Sequence, residues 1–297
     1  MTFTQEQVDT FNREGCLCIK NFLSEEQVCE LMRHTHELIE DFDIKSHPLT
    51  KFTTGSKVGE SHVGDNYFLE SSDKVSFFLE PGAFDEKNQL IKPKTLAINK
   101  IGHGLHMKDK LFHDVTITPE NVEIVQKLGF KDPRVLQSMI ICKQPQIGGE
   151  VPSHQDGVFL YTNPQTAVGF WFALEDCTIE NGCLSYLPGS HKTTPIVKRF
   201  VRKTLDNGTV TTEFISVDED KEETYENTEE GYKLVECPKG SLVLIHNSVL
   251  HRSNLNLSNS SRYAYAFHVI DGVAEYDSKN WLQVPPSGGA NFTKLEM

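Results

Sequence analysis

Two rhythms of apolar and polar residues run along this chain, and the change from one to the other divides it. Near the start the spacing is helical. Thr4 and Gln7 have the spacing of a capping box, with Phe3 and Val8 placed as a hydrophobic staple across it. Ser24 and Gln27 repeat that pattern, with Leu23 and Val28 as the staple. Beyond Ser24, residues Val28, Leu31, Met32, Leu38 and Ile39 share one helical face. A second helix should therefore run to about Glu40 and bury that face, so N-terminal helices are expected over about 4–40. Residues 41–66 are polar and irregular, which predicts loop.

From about residue 95 the pattern shortens. Runs rich in β-branched and aromatic residues occupy 135–142, 168–174, 184–187, 242–245 and 262–270, separated by Pro, Gly and Asn clusters. Many short strands with this punctuation predict a β-sandwich or jelly roll. With no internal repeat and no low-complexity linker, the simplest organisation is one domain over 1–297. It would be mainly β with flanking α-helices, its jelly-roll core at about 95–275 and an acidic loop at about 204–231.

Composition narrows the function classes. The hydrophobic content of 38% supports a packed interior, and 29 basic against 42 acidic residues give a net charge of −13. That balance disfavours nucleic acid and anionic membranes as partners and leaves a small molecule as the expected one. Eight acids and one Lys fall within 218–230, which reads as a solvated loop. Seven cysteines with no C-x-x-C pair fit neither a disulfide framework nor a structural zinc site. A reducing, cytoplasmic setting is expected. No secretory pattern, apolar run of membrane-spanning length or C-terminal peroxisomal address is visible.

Candidate chemistry begins at His154-Gln155-Asp156. In an extended segment, residues two apart point to the same side, so an imidazole and a carboxylate would converge. With one further His they make the 2-His-1-carboxylate set that binds non-heme Fe(II) and leaves positions open. An isolated H-x-D is weak, since a chain with 12 His carries one by chance about as often as not. A strand ending near residue 245 delivers two further histidines, His246 and His251, and periodicity does not choose between them. Arg262 follows eleven residues after His251. Alternation places Arg262, Ala264, Ala266 and His268 on one strand face and Tyr263, Tyr265, Phe267 and Val269 on the other. The first face suits a cavity whose floor holds a carboxylate on a guanidinium fork; the second suits packing on a helix. His191, in the Pro-Gly turn at 188–191, fits a turn anchor as well as a site residue.

The motifs H-Q-D at 154–156 and E-N-G-C-L-S-Y-L-P-G-S-H at 180–191, with His251 and Arg262, resemble the phytanoyl-CoA dioxygenase family. Stretches at 77–80, 84–87, 98–103, 137–139, 143–145, 148–151 and 280–283 match one branch of it, so the resemblance spans roughly 5–285. It implies a double-stranded β-helix core and an Fe(II)- and 2-oxoglutarate-dependent dioxygenase. Such an enzyme hydroxylates a small organic substrate, such as an acyl-CoA or carboxylic-acid metabolite, with release of succinate and CO2. It implies metal ligands His154, Asp156 and His251, and so His251 over His246. It implies 2-oxoglutarate with its distal carboxylate on Arg262, Ser253 beside it, and contacts from Lys100, Met139 and Trp171. O2 would be the oxidant and ascorbate a supporting reductant. Phosphates of a CoA substrate would call for cations, and Lys198, Arg199, Arg202 and Lys203 form a basic cluster that otherwise reads as a solvated face. A second reading keeps the jelly roll without catalysis, as a metal- or small-ligand-binding sensor.

Overall fold

The computed structural model describes residues 2–53, 65–217, 230–285 and 291–297. Both N-terminal helices form, at Gln5–Glu14 and Glu25–Asp41. Each opens on its capping box. Thr4 Oγ1 accepts from the Gln7 amide at 3.2 Å while the Thr4 amide donates to Gln7 Oε1 at 2.8 Å. Ser24 and Gln27 do the same at 3.2 and 2.9 Å. Gly15 ends the first helix at φ +82°, a conformation that favours glycine. The chain then turns into a strand at Cys16–Ile19, too short to show in the apolar rhythm.

Seven antiparallel strands build the large sheet. Their order is Cys16–Ile19, Leu242–His246, Val168–Ala173, Arg262–Asp271, Pro133–Lys143, Ile98–His103 and Val75–Leu79. Thr293–Lys294 adds to the side of Pro133–Lys143. A smaller sheet orders Lys233–Val235, Leu184–Tyr186, His251–Ser253 and Val151–His154. The two sheets make the double-stranded β-helix. Every predicted β run is a strand, but the sheet also recruits Cys16–Ile19, Val75–Leu79 and Thr293–Lys294 from outside 95–275.

Part of the segment expected as an acidic loop is also strand. Val210–Ser216 pairs with Lys198–Thr204, and Phe214 packs 5.0 Å from Phe200. The apolar content of that strand is confined to a few positions among Thr and Glu, so its alternation is faint. The acidic run at 218–230, apart from Glu230, lies outside the described residues. Among the described residues, no helix is long and apolar enough to cross a membrane.

The faces of Arg262–Asp271 divide as alternation demands. Tyr263, Tyr265, Phe267 and Val269 join Val8, Phe11, Leu31, Ile39 and Phe112 in one buried cluster beneath the helices. Phe267 stacks on Phe170 with ring centres 4.8 Å apart, and the Tyr265 hydroxyl bonds Thr116 Oγ1 at 2.6 Å. On the inner face, Ala264 and Ala266 meet Met139, Trp171, Ala173 and Val243. Small residues there leave space between the sheets.

Truncation of the bulky face should show what holds the sheet to the helices. Phe267 is 0% exposed, so Phe267→Ala is expected to cost about 3–5 kcal/mol through lost burial and a cavity. Urea unfolding should show a lower midpoint at an unchanged slope.

Candidate metal and cosubstrate site

Two strands of the smaller sheet set the positions of the histidines. Val151–His154 and His251–Ser253 are antiparallel neighbours with His154 directly opposite His251. Their rings lie 4.2 Å apart, tilted by 49°. Asp156 falls just past the strand end, in the short helical turn Asp156–Val158, rather than on the strand itself. The turn still brings Asp156 Oδ1 to 3.6 Å from His154 Nε2 and 3.6 Å from His251 Nε2. Ligand atoms of the three residues all lie within 4.8 Å of one another, which suits one shared metal ion.

Backbone carbonyls fix how the imidazoles present themselves. His154 Nδ1 donates to the Pro152 carbonyl at 2.9 Å, and His251 Nδ1 donates to the Val249 carbonyl at 3.1 Å. With the proton held on Nδ1, each Nε2 offers its lone pair towards Asp156. Burial pushes His251 down to about 4, with His154 adding to the effect, so the ring is neutral at physiological pH. Burial opposes the charge of Asp156, but His251, His268 and His154 hold its carboxyl well below the usual range.

The second carboxylate oxygen has its own partner. Asp156 Oδ2 accepts from His268 Nε2 at 3.2 Å, and His268 Nδ1 lies 3.4 Å from Gln137 Nε2, which donates to it. Gly169 stands opposite His268 in the sheet. A Cβ on Gly169 would sit 3.4 Å from His268 Nε2 and 3.5 Å from Asp156 Oδ2, so a larger side chain there would crowd this contact. The pairing of His268 with Asp156 was not read from the sequence, although alternation had placed His268 on the Arg262 face.

A cavity of about 550 Å³ opens beside these three residues, and His154, Asp156, His251, Arg262, Ser253, Lys100, Met139 and Trp171 all line it. Arg262 is 2% exposed, its guanidinium carbon 5.2 Å from the centre of the Trp171 ring. Among the described residues, its Nε and Nη1 have no hydrogen-bond partner. Burial opposes its charge and lowers its pKa; a guanidinium nevertheless stays charged in proteins, so this is a buried cation without a carboxylate in contact among the described residues. A carboxylate suits these nitrogens, because a guanidinium forms strong charge-assisted hydrogen bonds to one.

Ser253 is bonded to a residue the sequence had not singled out as functional. Lys143, opposite Arg262 in the sheet, donates from Nζ to Ser253 Oγ at 3.0 Å and to the Gly149 carbonyl at 2.7 Å. Burial, with Arg262 beside it, brings Lys143 down to about 7. Lys100 is similarly lowered to about 8 by burial, and its Nζ sits 3.7 Å over the Phe52 ring. Glu80, 1% exposed, adds a buried carboxyl to the same wall, raised by burial.

The remaining candidates lie elsewhere. His246 accepts from the Ser248 amide at 3.1 Å, and its ring packs 4.8 Å from His191 and 6.0 Å from Phe11. His191 Nε2 donates to the Asn12 carbonyl at 3.1 Å, so it ties the turn to the first helix. The basic cluster is not a solvated face. Arg199 pairs with Asp277 at 2.8 Å, Arg202 donates to the Leu69 carbonyl at 2.9 Å, and Lys203 pairs with Glu213 at 2.6 Å. None of the four cations lines the cavity.

Known proteins share this architecture and sequence. The family model described as Phytanoyl-CoA dioxygenase (PhyH) matches residues 11–264. A protein named Phytanoyl-CoA dioxygenase from Arabidopsis thaliana is 41% identical over 283 residues, covering 95% of this chain and 94% of its own. Phytanoyl-CoA dioxygenase domain-containing protein 1 of Danio rerio is 42% identical over 286 residues, covering 94% of each. Among solved structures, the epimerase SnoN in complex with Fe3+, alpha ketoglutarate and nogalamycin RO superposes with a TM-score of 0.60. It is 15% identical and covers 99% of this chain and 95% of its own, a likeness of fold.

The separation of the two C-terminal histidines gives a direct test. His251→Ala should abolish stoichiometric binding of a divalent metal, read by anaerobic calorimetry with Fe(II). His246→Ala should leave the stoichiometry at one ion per chain.

Proposed function

The chain belongs to the phytanoyl-CoA dioxygenase family and is an oxygenase, and from that premise we propose a specific reaction. One Fe(II) is held by His154, Asp156 and His251, 2-oxoglutarate is the cosubstrate, and a small organic substrate is hydroxylated. The observation that carries this reading is one cavity lined both by a three-residue ligand set and by a buried, unpartnered Arg262. The first suits iron and the second suits the far carboxylate of a 2-oxo diacid.

When bound, the metal and cosubstrate supply the O2 chemistry, in which 2-oxoglutarate becomes succinate and CO2 and one oxygen enters the substrate. The chain supplies position and exclusion of water. His154 and His251 present Nε2 because their Nδ1 protons are engaged by carbonyls. His268 occupies Asp156 Oδ2, so Oδ1 remains directed at the imidazoles. A carboxylate at 156 also fills the position that a halogenase leaves free for halide, which favours hydroxylation. Arg262 takes the distal carboxylate with Ser253 nearby, while Lys100, Met139 and Trp171 close around the cosubstrate. Ascorbate serves as a supporting reductant.

The rest of the cavity is faced by Phe52, Phe68, Phe159, Leu160 and Trp281. That wall suits an apolar body such as an acyl chain or a hydrophobic carboxylic acid. A CoA moiety gains no support from the basic cluster, whose cations are engaged elsewhere. Seven free cysteines suit a reducing compartment such as the cytoplasm.

Anaerobic protein loaded with Fe(II) and 2-oxoglutarate should show a visible charge-transfer band, absent in His154→Ala. Arg262→Ala should raise the 2-oxoglutarate concentration giving half the band by roughly 10–100-fold, the worth of a charge-assisted bond of about 1.5–3 kcal/mol. An unchanged midpoint would remove Arg262 from the carboxylate site. With O2 admitted, succinate should form, and a metabolite extract should contain a compound that gains the mass of one oxygen.

A further inference from the structure

Two chains of hydrogen bonds end on the cavity wall, and each leaves an acceptor there. The first runs through His103, which is 2% exposed and part of the lining. Ser71 Oγ lies 2.6 Å from the Phe68 carbonyl and 2.7 Å from His103 Nδ1. A carbonyl cannot donate, so the one hydroxyl proton goes to Phe68 and the Nδ1 proton goes to Ser71. His103 Nε2 is left with a lone pair and, among the described residues, no partner. Phe68, Phe78 and Trp281 surround the ring at 5.6, 5.5 and 5.4 Å between centres, which holds it in place. Burial pushes its pKa well below the usual imidazole range, so the ring stays neutral.

The second chain starts at Asp156. His268 gives its Nε2 proton to Asp156 Oδ2, so its Nδ1 accepts from Gln137 Nε2 at 3.4 Å. That contact orients the amide and leaves Gln137 Oε1 without a partner among the described residues. Gln137 is 6% exposed and lines the same cavity. A buried acceptor left unpaired costs free energy that a donor in the cavity would recover.

Both acceptors lie away from Arg262. Gln137 stands opposite His268, and His103 stands opposite Ser138, the residue after Gln137. His268 is six residues along its strand from Arg262, about 20 Å at the rise of a strand. A carboxylate on Arg262 therefore sits at one end of the cavity. The two acceptors serve the other end, where Asp156 meets His268 and Phe68 and Trp281 form an apolar wall.

We propose that His103 and Gln137 select the substrate: an apolar molecule carrying a neutral hydrogen-bond donor, a hydroxyl or a carboxamide, received at His103 Nε2 and Gln137 Oε1. A hydroxyl gives its proton to one of them, and a carboxamide has one for each. Such a molecule is a substrate on the oxygenase reading above, on which this assignment rests. An ionised carboxylate has no proton for either acceptor, so an acid substrate needs such a group besides. An ammonium group would meet Lys100, on the same strand as His103 and in the same lining, so a neutral donor fits better.

Calorimetry on the full chain tests this with four probes of similar length: 1-octanol, octanamide, octylammonium and 1-methoxyheptane, the isomer of octanol that lacks an O–H. Each is titrated into anaerobic protein loaded with Fe(II) and 2-oxoglutarate, and again into protein without them. Octanol or octanamide should bind at least about fivefold tighter than the ether, the worth of one net hydrogen bond. The tighter of the two identifies the group. Octylammonium should bind no better than the ether. Combining His103→Phe with Gln137→Leu should shrink the preference to within about twofold while the ether's affinity holds, a split that a merely structural role would not give. Equal binding of ether, octanol and octanamide to the unaltered chain overturns the proposal, as does binding of none of them. Tightest binding of octylammonium, or a preference that survives the double substitution, overturns it too. The comparison of isomers is made in the unaltered chain, so it stands even where the variant does not fold. A preference seen without metal and cosubstrate, in a chain that shows no charge-transfer band when loaded, keeps the two acceptors and removes the oxygenase reading instead.

Discussion

A strand in the middle of a sheet has two faces, and in Arg262–Asp271 they meet opposite demands. One face must bury enough apolar surface to hold the fold; the other must leave room for a cavity. Tyr263, Tyr265, Phe267 and Val269 satisfy the first demand against the helices. Full burial of each large side chain contributes about 1.5–3 kcal/mol. Ala264 and Ala266 satisfy the second, and the stability they forgo is supplied behind them. Since the strand period is two, a slip of one residue would turn the aromatics into the cavity and bury Arg262 under the helices. The helix layer and the open interior are therefore one design.

The His154, Asp156 and His251 group extends the same economy to the smaller sheet. His154 and His251 are opposed by strand pairing, so their spacing is a property of the backbone ladder. Carbonyls at Pro152 and Val249 then fix the tautomers, and His268 divides the two oxygens of Asp156 between different tasks. These side chains are oriented by bonds internal to the chain. Arg262 differs: its charge is desolvated and two of its nitrogens are unpaired, a state that costs free energy. A carboxylate that relieves it binds to a site already arranged for it.

The sequence made the inner and outer faces legible because alternation is a strictly local signal, and the structure separates Ala264 from Tyr265 as that signal required. Capping boxes at Thr4 and Ser24 were legible for the same reason. The choice between His246 and His251 was not, since His246 ends one strand and His251 opens the next, and only the turn at 247–250 decides which faces Asp156. It took a pattern shared along the chain to choose. Lys143 stayed hidden in an apolar strand, where its role depends on Arg262 lying opposite. The Cys16–Ile19 strand was invisible because its partner lies at the far end of the sequence. The basic cluster misled because Asp277 and Glu213 come to it only through folding.

The order of strands in the large sheet carries a consequence for synthesis. Arg262–Asp271, among the last strands to leave the ribosome, lies between Val168–Ala173 and Pro133–Lys143. Before it emerges, the strands at 75–143 and those at 168–246 have no neighbour in common. Each group must wait with an open backbone edge, the feature most prone to pair with another chain. Cys16–Ile19, made first, finds its partner Leu242–His246 only near the end. Contacts this distant in sequence make folding slow. Translation thus delivers the keystone late, and the backbone edges on either side of it stay unpaired until it arrives.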